Sequence, residues 1–186
     1  MLLVNKTNLL RLTISILLIC FSACVFGQKN KKEFKKIYSA AINYSLRGPR
    51  EIIVKSVTFN GEISKRNYSH LPSAAKNKSS IYIGDMKLDS SWQPFLSKAD
   101  AMKINLKPYE IPYFEIPGFK IHFSDMKSEV HGTTRVNLSN ILFSKSRAIL
   151  EVRYVCGPLC GEGRIYFLEK KNKRWKVVSF LSTWIS

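Results

Sequence analysis

The stretch Ala148-Ile149-Leu150-Glu151-Val152-Arg153-Tyr154-Val155-Cys156 decides the fold class. Ala148, Leu150, Val152, Tyr154 and Cys156 stand at every second position, with Glu151 and Arg153 between them. A period of two is strand geometry, and such a strand buries one face. The residues that follow, Cys156-Gly157-Pro158-Leu159-Cys160-Gly161-Glu162-Gly163, are dense in turn formers. Ile165–Leu168 reads as a second strand, Lys171-Asn172-Lys173 as a tight turn, and Trp175–Ile185 as a third strand. Parallel neighbours need crossovers of a dozen or more residues, so these short links predict an antiparallel meander.

Towards the N-terminus, Phe34, Ile37, Tyr38, Ala41 and Tyr44 recur at three and four residues and predict an amphipathic helix. Phe34, Ile37, Tyr38 and Ala41 are expected against the sheet, with Lys35, Lys36 and Asn43 in water. Gly48 and Pro49 stop the helix. Ile52-Ile53-Val54 and Val57 to Phe59 form a β-branched run up to the turn signal Asn60-Gly61. Residues 60–80 read as a flexible loop. Ile81–Ile83 is a short strand ending at Gly84, Ser97–Met102 one or two helical turns, and Phe119–Phe123 a strand with apolar odd positions. The expected class is α+β: an N-terminal helix on a curved antiparallel sheet, cystatin-like or NTF2-like, ending in a three-strand meander. An all-β sandwich is the alternative.

The chain of 186 residues carries 30 Lys+Arg against 13 Asp+Glu, a formal charge of +17, with 45% hydrophobic residues. That hydrophobic share excludes a mainly disordered chain. Residues 1–27 read as a signal peptide: Lys6 and Arg11 precede an apolar run from Leu12 to Cys24. The run is shorter than the roughly 20 residues a spanning helix needs, so the mature chain is expected to hold no transmembrane segment. Val25 and Gly27 place cleavage between Gly27 and Gln28; lipidation at Cys24 is the alternative. The chain is thus expected to be periplasmic or extracellular, with one globular domain over residues 28–186. Its charge would be +15, carried mainly by residues 28–79 (+9) and 127–186 (+7).

Cys156 and Cys160 are the two cysteines of the mature chain, and an even pair in an exported protein predicts a disulfide. A redox role would want C-x-x-C at a helix start, and zinc would want two more ligands. His70, His122 and His131 are scattered, and His122 falls on the polar side of its strand. Asp85 and Asp89 offer no reason to pair. No nucleophile elbow, zincin, EF-hand or phosphate-loop motif is present. No catalytic residue, metal or cofactor is therefore expected, and no nucleic-acid motif accompanies the charge. The segment Lys107–Phe119 holds Pro108, Pro112 and Pro117, which forbid a helix interior and predict an extended run. Its Tyr109, Tyr113, Phe114 and Phe119 are candidates either to line a ligand groove or to fill core as a lid.

The pattern Tyr154-Val155-Cys156-Gly157-x-Leu159-Cys160-Gly161-x-Gly163, followed by Leu168-Glu169-Lys170, Trp175-Lys176-Val177 and the terminal Trp184-Ile185-Ser186, resembles a family of uncharacterised exported bacterial proteins of Bacteroidota type. The resemblance covers residues 135–186 and implies a compartment and a C-terminal hairpin, with no catalytic role. Lys173-Arg174 stands where that pattern usually has Gly-Lys, which argues against a two-residue turn with positive φ at both central positions. The resulting expectation is an exported, non-enzymatic binding or envelope-associated module with a basic surface, meeting an anionic envelope component. The alternative is a small enzyme or ligand carrier with a pocket on the concave face of a curved sheet.

Overall fold

The apolar stripe of the N-terminal segment forms helix α1 over residues 30–45 in the computed structural model, which describes residues 30–46, 50–59, 80–83, 86–97, 108–125, 133–157 and 159–185. The leader with Cys24, Gly27 and Gln28 lies outside the described residues. So do the Gly48-Pro49 stop, the Asn60-Gly61 turn, residues 60–79 of the expected loop, Asp85, His70 and His131. Ile37, Tyr38 and Ala41 are fully buried, Phe34 packs at the margin of the core, and Lys36 and Asn43 are exposed, as the periodicity requires, whereas Lys35 is half-buried. Ile42 is also buried, whereas Tyr44 ends the stripe 48% exposed.

The strands are β1 (Arg50–Lys55), β2 (Ser80–Ile83), β3 (Met86–Asp89), β4 (Phe119–Ser124), β5 (Thr134–Leu138), β6 (Leu142–Phe143), β7 (Arg147–Gly157), β8 (Cys160–Lys171) and β9 (Arg174–Ile185). Seven of them make one sheet in the order β4-β1-β5-β7-β8-β9, with β6 on β7; β2 and β3 form a separate hairpin. The class is α+β, with the sheet dominant. The meander β7-β8-β9 is antiparallel throughout. The rest of the sheet corrects the expectation of a purely antiparallel one: β1 pairs in parallel with both β4 and β5. Ile52-Ile53-Val54 is an unbroken β-branched run, the pattern of a strand flanked on both sides, and Ile52 and Val54 are fully buried.

Both faces of the sheet are covered. Under α1 lie Ile52, Val54, Val136, Leu138, Leu150, Val152, Tyr166 and Leu168. On the other face Ile149, Ile165 and Phe167 are buried, with the Trp92 ring 5.7 Å from that of Phe167. Trp92 belongs to a short helical segment at 90–97, which Asp89 caps by accepting from the Ser91 amide. The helical turn expected at Ser97–Met102 therefore comes earlier, and residues 98–102 lie outside the described residues. A second correction concerns Glu151: expected outward from β7, it is buried and accepts from Arg153 Nε at 2.7 Å.

The hairpin is tighter than its sequence suggests. Gly157 pairs with Cys160, so β8 begins at Cys160 and not after Gly163. Cys156 and Cys160 are joined by a disulfide with their Cα atoms 5.1 Å apart. A register shift between Val155 and Gly157 turns Cys156 out of the apolar set and into solvent. Gly161 and Gly163 are required by Trp184, whose ring lies on both: a Cβ would fall 2.9 Å from Trp184 Cη2 at Gly161 and 2.2 Å from its Nε1 at Gly163. The C-G-x-G and W-I-S elements are thus two halves of one packing unit. At the other end, Lys171 pairs with Arg174 across a two-residue turn in which Asn172 and Lys173 have φ of 51° and 63°. The lysine does not prevent the turn with two positive φ values.

Candidate functional site

Lys35, Lys36, Ser39, Ala40 and Asn43 recur at three and four residues along one flank of α1, with Ala40 packed at the core margin and Lys36 and Asn43 exposed. Facing them runs the stretch 113–117, and the β8–β9 turn contributes Lys173, Arg174 and Trp175. These three elements line an open groove of about 740 Å³.

Each wall has a local cause. Apart from one bridge at Glu110, residues 108–116 are neither helix nor strand, since Pro108 and Pro112 interrupt both. Ile111, Phe114 and Ile116 turn inward and are buried. Phe114 stacks on Tyr38 at 6.0 Å and meets Phe123 edge-on at 5.3 Å. Tyr113 and Glu115 point the other way. The Tyr113 ring is 60% exposed, and its hydroxyl donates to Glu115 at 3.1 Å. Of the four aromatic candidates, Tyr113 and Phe114 line the groove. Tyr109 is half-buried, sharing a 2.5 Å hydrogen bond with the Tyr38 hydroxyl, and Phe119 packs at the core margin. Burial pushes the Tyr38 phenol well above its ordinary value and that of Tyr109 up to about 12, so both stay neutral structural groups.

Glu33 fixes the end where the turn meets α1. It accepts from Lys170 Nζ at 2.7 Å and Trp175 Nε1 at 2.8 Å, and Lys36 stands 3.4 Å away. Burial alone would raise its carboxyl, but the hydrogen bonds from Lys170 and Trp175 outweigh it and hold the group below its usual range.

The cations differ in their partners. Lys120, Arg147, Arg153, Arg164, Lys170 and Lys171 each pair with a carboxylate. On the groove only Lys36 does; among the described residues Lys35, Lys173 and Arg174 have no acidic partner. Off the groove, Lys31, Lys32, Lys55, Lys145 and Lys176 also have no acidic partner among the described residues. The sequence places the groove's cations in the basic segments 28–79 and 127–186 but does not show the groove that brings them together.

His122 Nε2 lies 2.8 Å from Glu51 Oε1, with Lys120 at 3.1 Å, but both partners are half-exposed on the β1–β4 surface and line neither described cavity. The second cavity, of about 300 Å³, has Lys55, Asp125 and Arg135 among its lining. Among the described residues no three His, Cys, Asp or Glu side chains gather as a metal site would need. Nor is any helix among them long and apolar enough to cross a membrane. Compared with protein-family models, with curated proteins and with solved structures, the chain finds no match in any of the three.

Proposed function

We propose that this chain is an exported, non-enzymatic binding module whose groove between α1 and the β8–β9 turn takes an anionic component of the cell envelope. The observation that carries the reading is the gathering of Lys35, Lys173 and Arg174, all without an acidic partner among the described residues, beside the exposed ring of Tyr113. Clustered unpaired cations raise the local potential and draw anions, and an aromatic ring adds contact area. Export is supported by the leader at residues 1–27, by the Cys156–Cys160 bond, which persists in oxidising compartments, and by the family resemblance of residues 135–186. One helix laid on a sheet with a terminal meander also fits a cystatin-like or NTF2-like reading, the parallel β1 being the departure from it. The enzyme or carrier alternative has less support, because the sheet face under α1 is filled by core side chains.

The test is binding of the purified full chain to a panel of polyanions: acidic oligosaccharides, polyglutamate and phosphatidylglycerol vesicles. Lys35→Ser with Arg174→Ser should weaken binding about tenfold or more, while Lys120→Ser with Lys176→Ser should leave it nearly unchanged. Equal losses in both double variants would show that net charge, not the groove, does the binding.

A further inference from the structure

Resting on that reading, we infer that the occupant of the groove is an acidic saccharide chain, held at one end by Lys173 and Arg174. The first observation is the backbone of Lys173. Its φ of 63° is a conformation that glycine adopts freely and a lysine adopts at a cost. The residue is exposed and has no acidic partner among the described residues, so the fold gains nothing from a lysine there. The hairpin imposes this backbone, so it is the choice of a lysine for it, at an exposed position on the rim of the groove, that points to a role outside folding.

The second observation is what lies beyond that cationic end. Ser39 offers a hydroxyl, Asn43 an amide, and Tyr113 an exposed ring face. Beside Tyr113, and accepting from its hydroxyl at 3.1 Å, stands Glu115, an acceptor with no donor capacity when ionised. A chain carrying a carboxylate on every residue, such as polyglutamate, meets repulsion at Glu115. A sugar ring instead donates its hydroxyls to Glu115, accepts from Asn43, lays its apolar face on Tyr113 and brings a uronate or sulfate to Lys173 and Arg174.

The experiment titrates the full chain with oligogalacturonate, with a neutral oligosaccharide of equal length, with polyglutamate and with phosphatidylglycerol vesicles. The acidic saccharide should bind at least about tenfold tighter than the neutral one, and more tightly than polyglutamate, with affinity falling as salt rises. Lys173→Gly should weaken that binding about two- to fivefold, the scale of one exposed ion pair, and raise the thermal midpoint. Tighter binding of polyglutamate or vesicles would overturn the saccharide and leave the anion-binding reading standing. No polyanion binding at all would overturn both. A Lys173→Gly protein with unchanged affinity, or with a lowered midpoint, would remove the role given to Lys173.

Discussion

Gly163→Ala is the sharpest probe of how the C-terminal hairpin holds together. The new methyl group would sit 2.2 Å from Trp184 Nε1, 2.6 Å from its Cδ1 and 2.4 Å from Thr183 Oγ1. These atoms lie near the stems of their side chains, so no small rotation clears them, and the indole must leave the strand. An indole buries roughly 150–250 Å² when fully enclosed. Losing about half of that at roughly 25 cal/mol per Å² costs about 2–3 kcal/mol, within the usual overpacking range of about 1–3 kcal/mol. For a domain of this size the thermal midpoint should fall by roughly 4–12 °C. Urea unfolding followed by far-ultraviolet circular dichroism reads the change without relying on the tryptophan itself. Adding Trp184→Ala removes the clash, so the double variant should be less unstable than the two single effects added together. Additive losses, or a Gly163→Ala protein within about 0.5 kcal/mol of the parent, would refute the packing of Trp184 on the glycine.

Ile37→Ala should destabilise by about 2–5 kcal/mol, since Ile37 is fully buried between α1 and the sheet; an unmoved urea midpoint would contradict that seat. Glu33→Gln should cost about 1–2 kcal/mol at pH 7, because it replaces a charged acceptor shared by Lys170 and Trp175. The folded carboxyl is depressed, so its contribution is full above the ordinary Glu value of about 4.3 and disappears as pH falls through the lower folded value; the variant should show a flatter acid slope of stability. Cys156→Ser with Cys160→Ser should lower stability by about 2 kcal/mol and leave the hairpin paired, because β7 and β8 remain bonded from Arg147 to Gly161 without it. Alkylation of both thiols in non-reduced protein taken from the cell envelope would show that the bond does not form there.

The local periodicities were the legible part of the fold. The spacing of Phe34, Ile37, Tyr38 and Ala41 named the buried side of α1, and the alternation from Ala148 to Tyr154 named the face of β7 that meets it. What misled was anything set by a neighbouring element. Glu151 looked solvent-facing because alternation reports which side a residue takes, not whether that side is covered, and here it is. Cys156 kept the alternation in sequence and lost it to a bulge. The parallel placement of β1 was written only in the unbroken run Ile52-Ile53-Val54, which short strands also show for other reasons. Lys173 shows the converse case. Glycine is the easier residue for its turn, yet pairing along the twelve-residue strands β8 and β9 imposes the conformation on a lysine.

Of the groove only the wall at Tyr113 and Phe114 was legible, and the reason is physical. Its walls come from residues 35–43, 113–117 and 173–175, and each alone reads as an exposed face, an extended loop or a turn. A sequence shows how many cations a chain has, whereas only the fold shows which of them keep an acidic partner. Glu33 makes that choice at the groove's end. It takes Lys170 and part of Lys36, clamps the Trp175 indole, and leaves the half-buried Lys35 and the exposed Lys173 and Arg174 without an acidic partner among the described residues. Stability and recognition therefore meet in one carboxylate. Neutralising Glu33 loosens the clamp on Trp175 while adding to the positive field along α1. If the groove binds by charge alone, Glu33→Gln should bind polyanions more tightly; if it binds by shape set at Trp175, the same variant should bind more weakly. A preorganised groove requires the second outcome, and tighter binding by Glu33→Gln would reduce the site to an unstructured patch of positive charge.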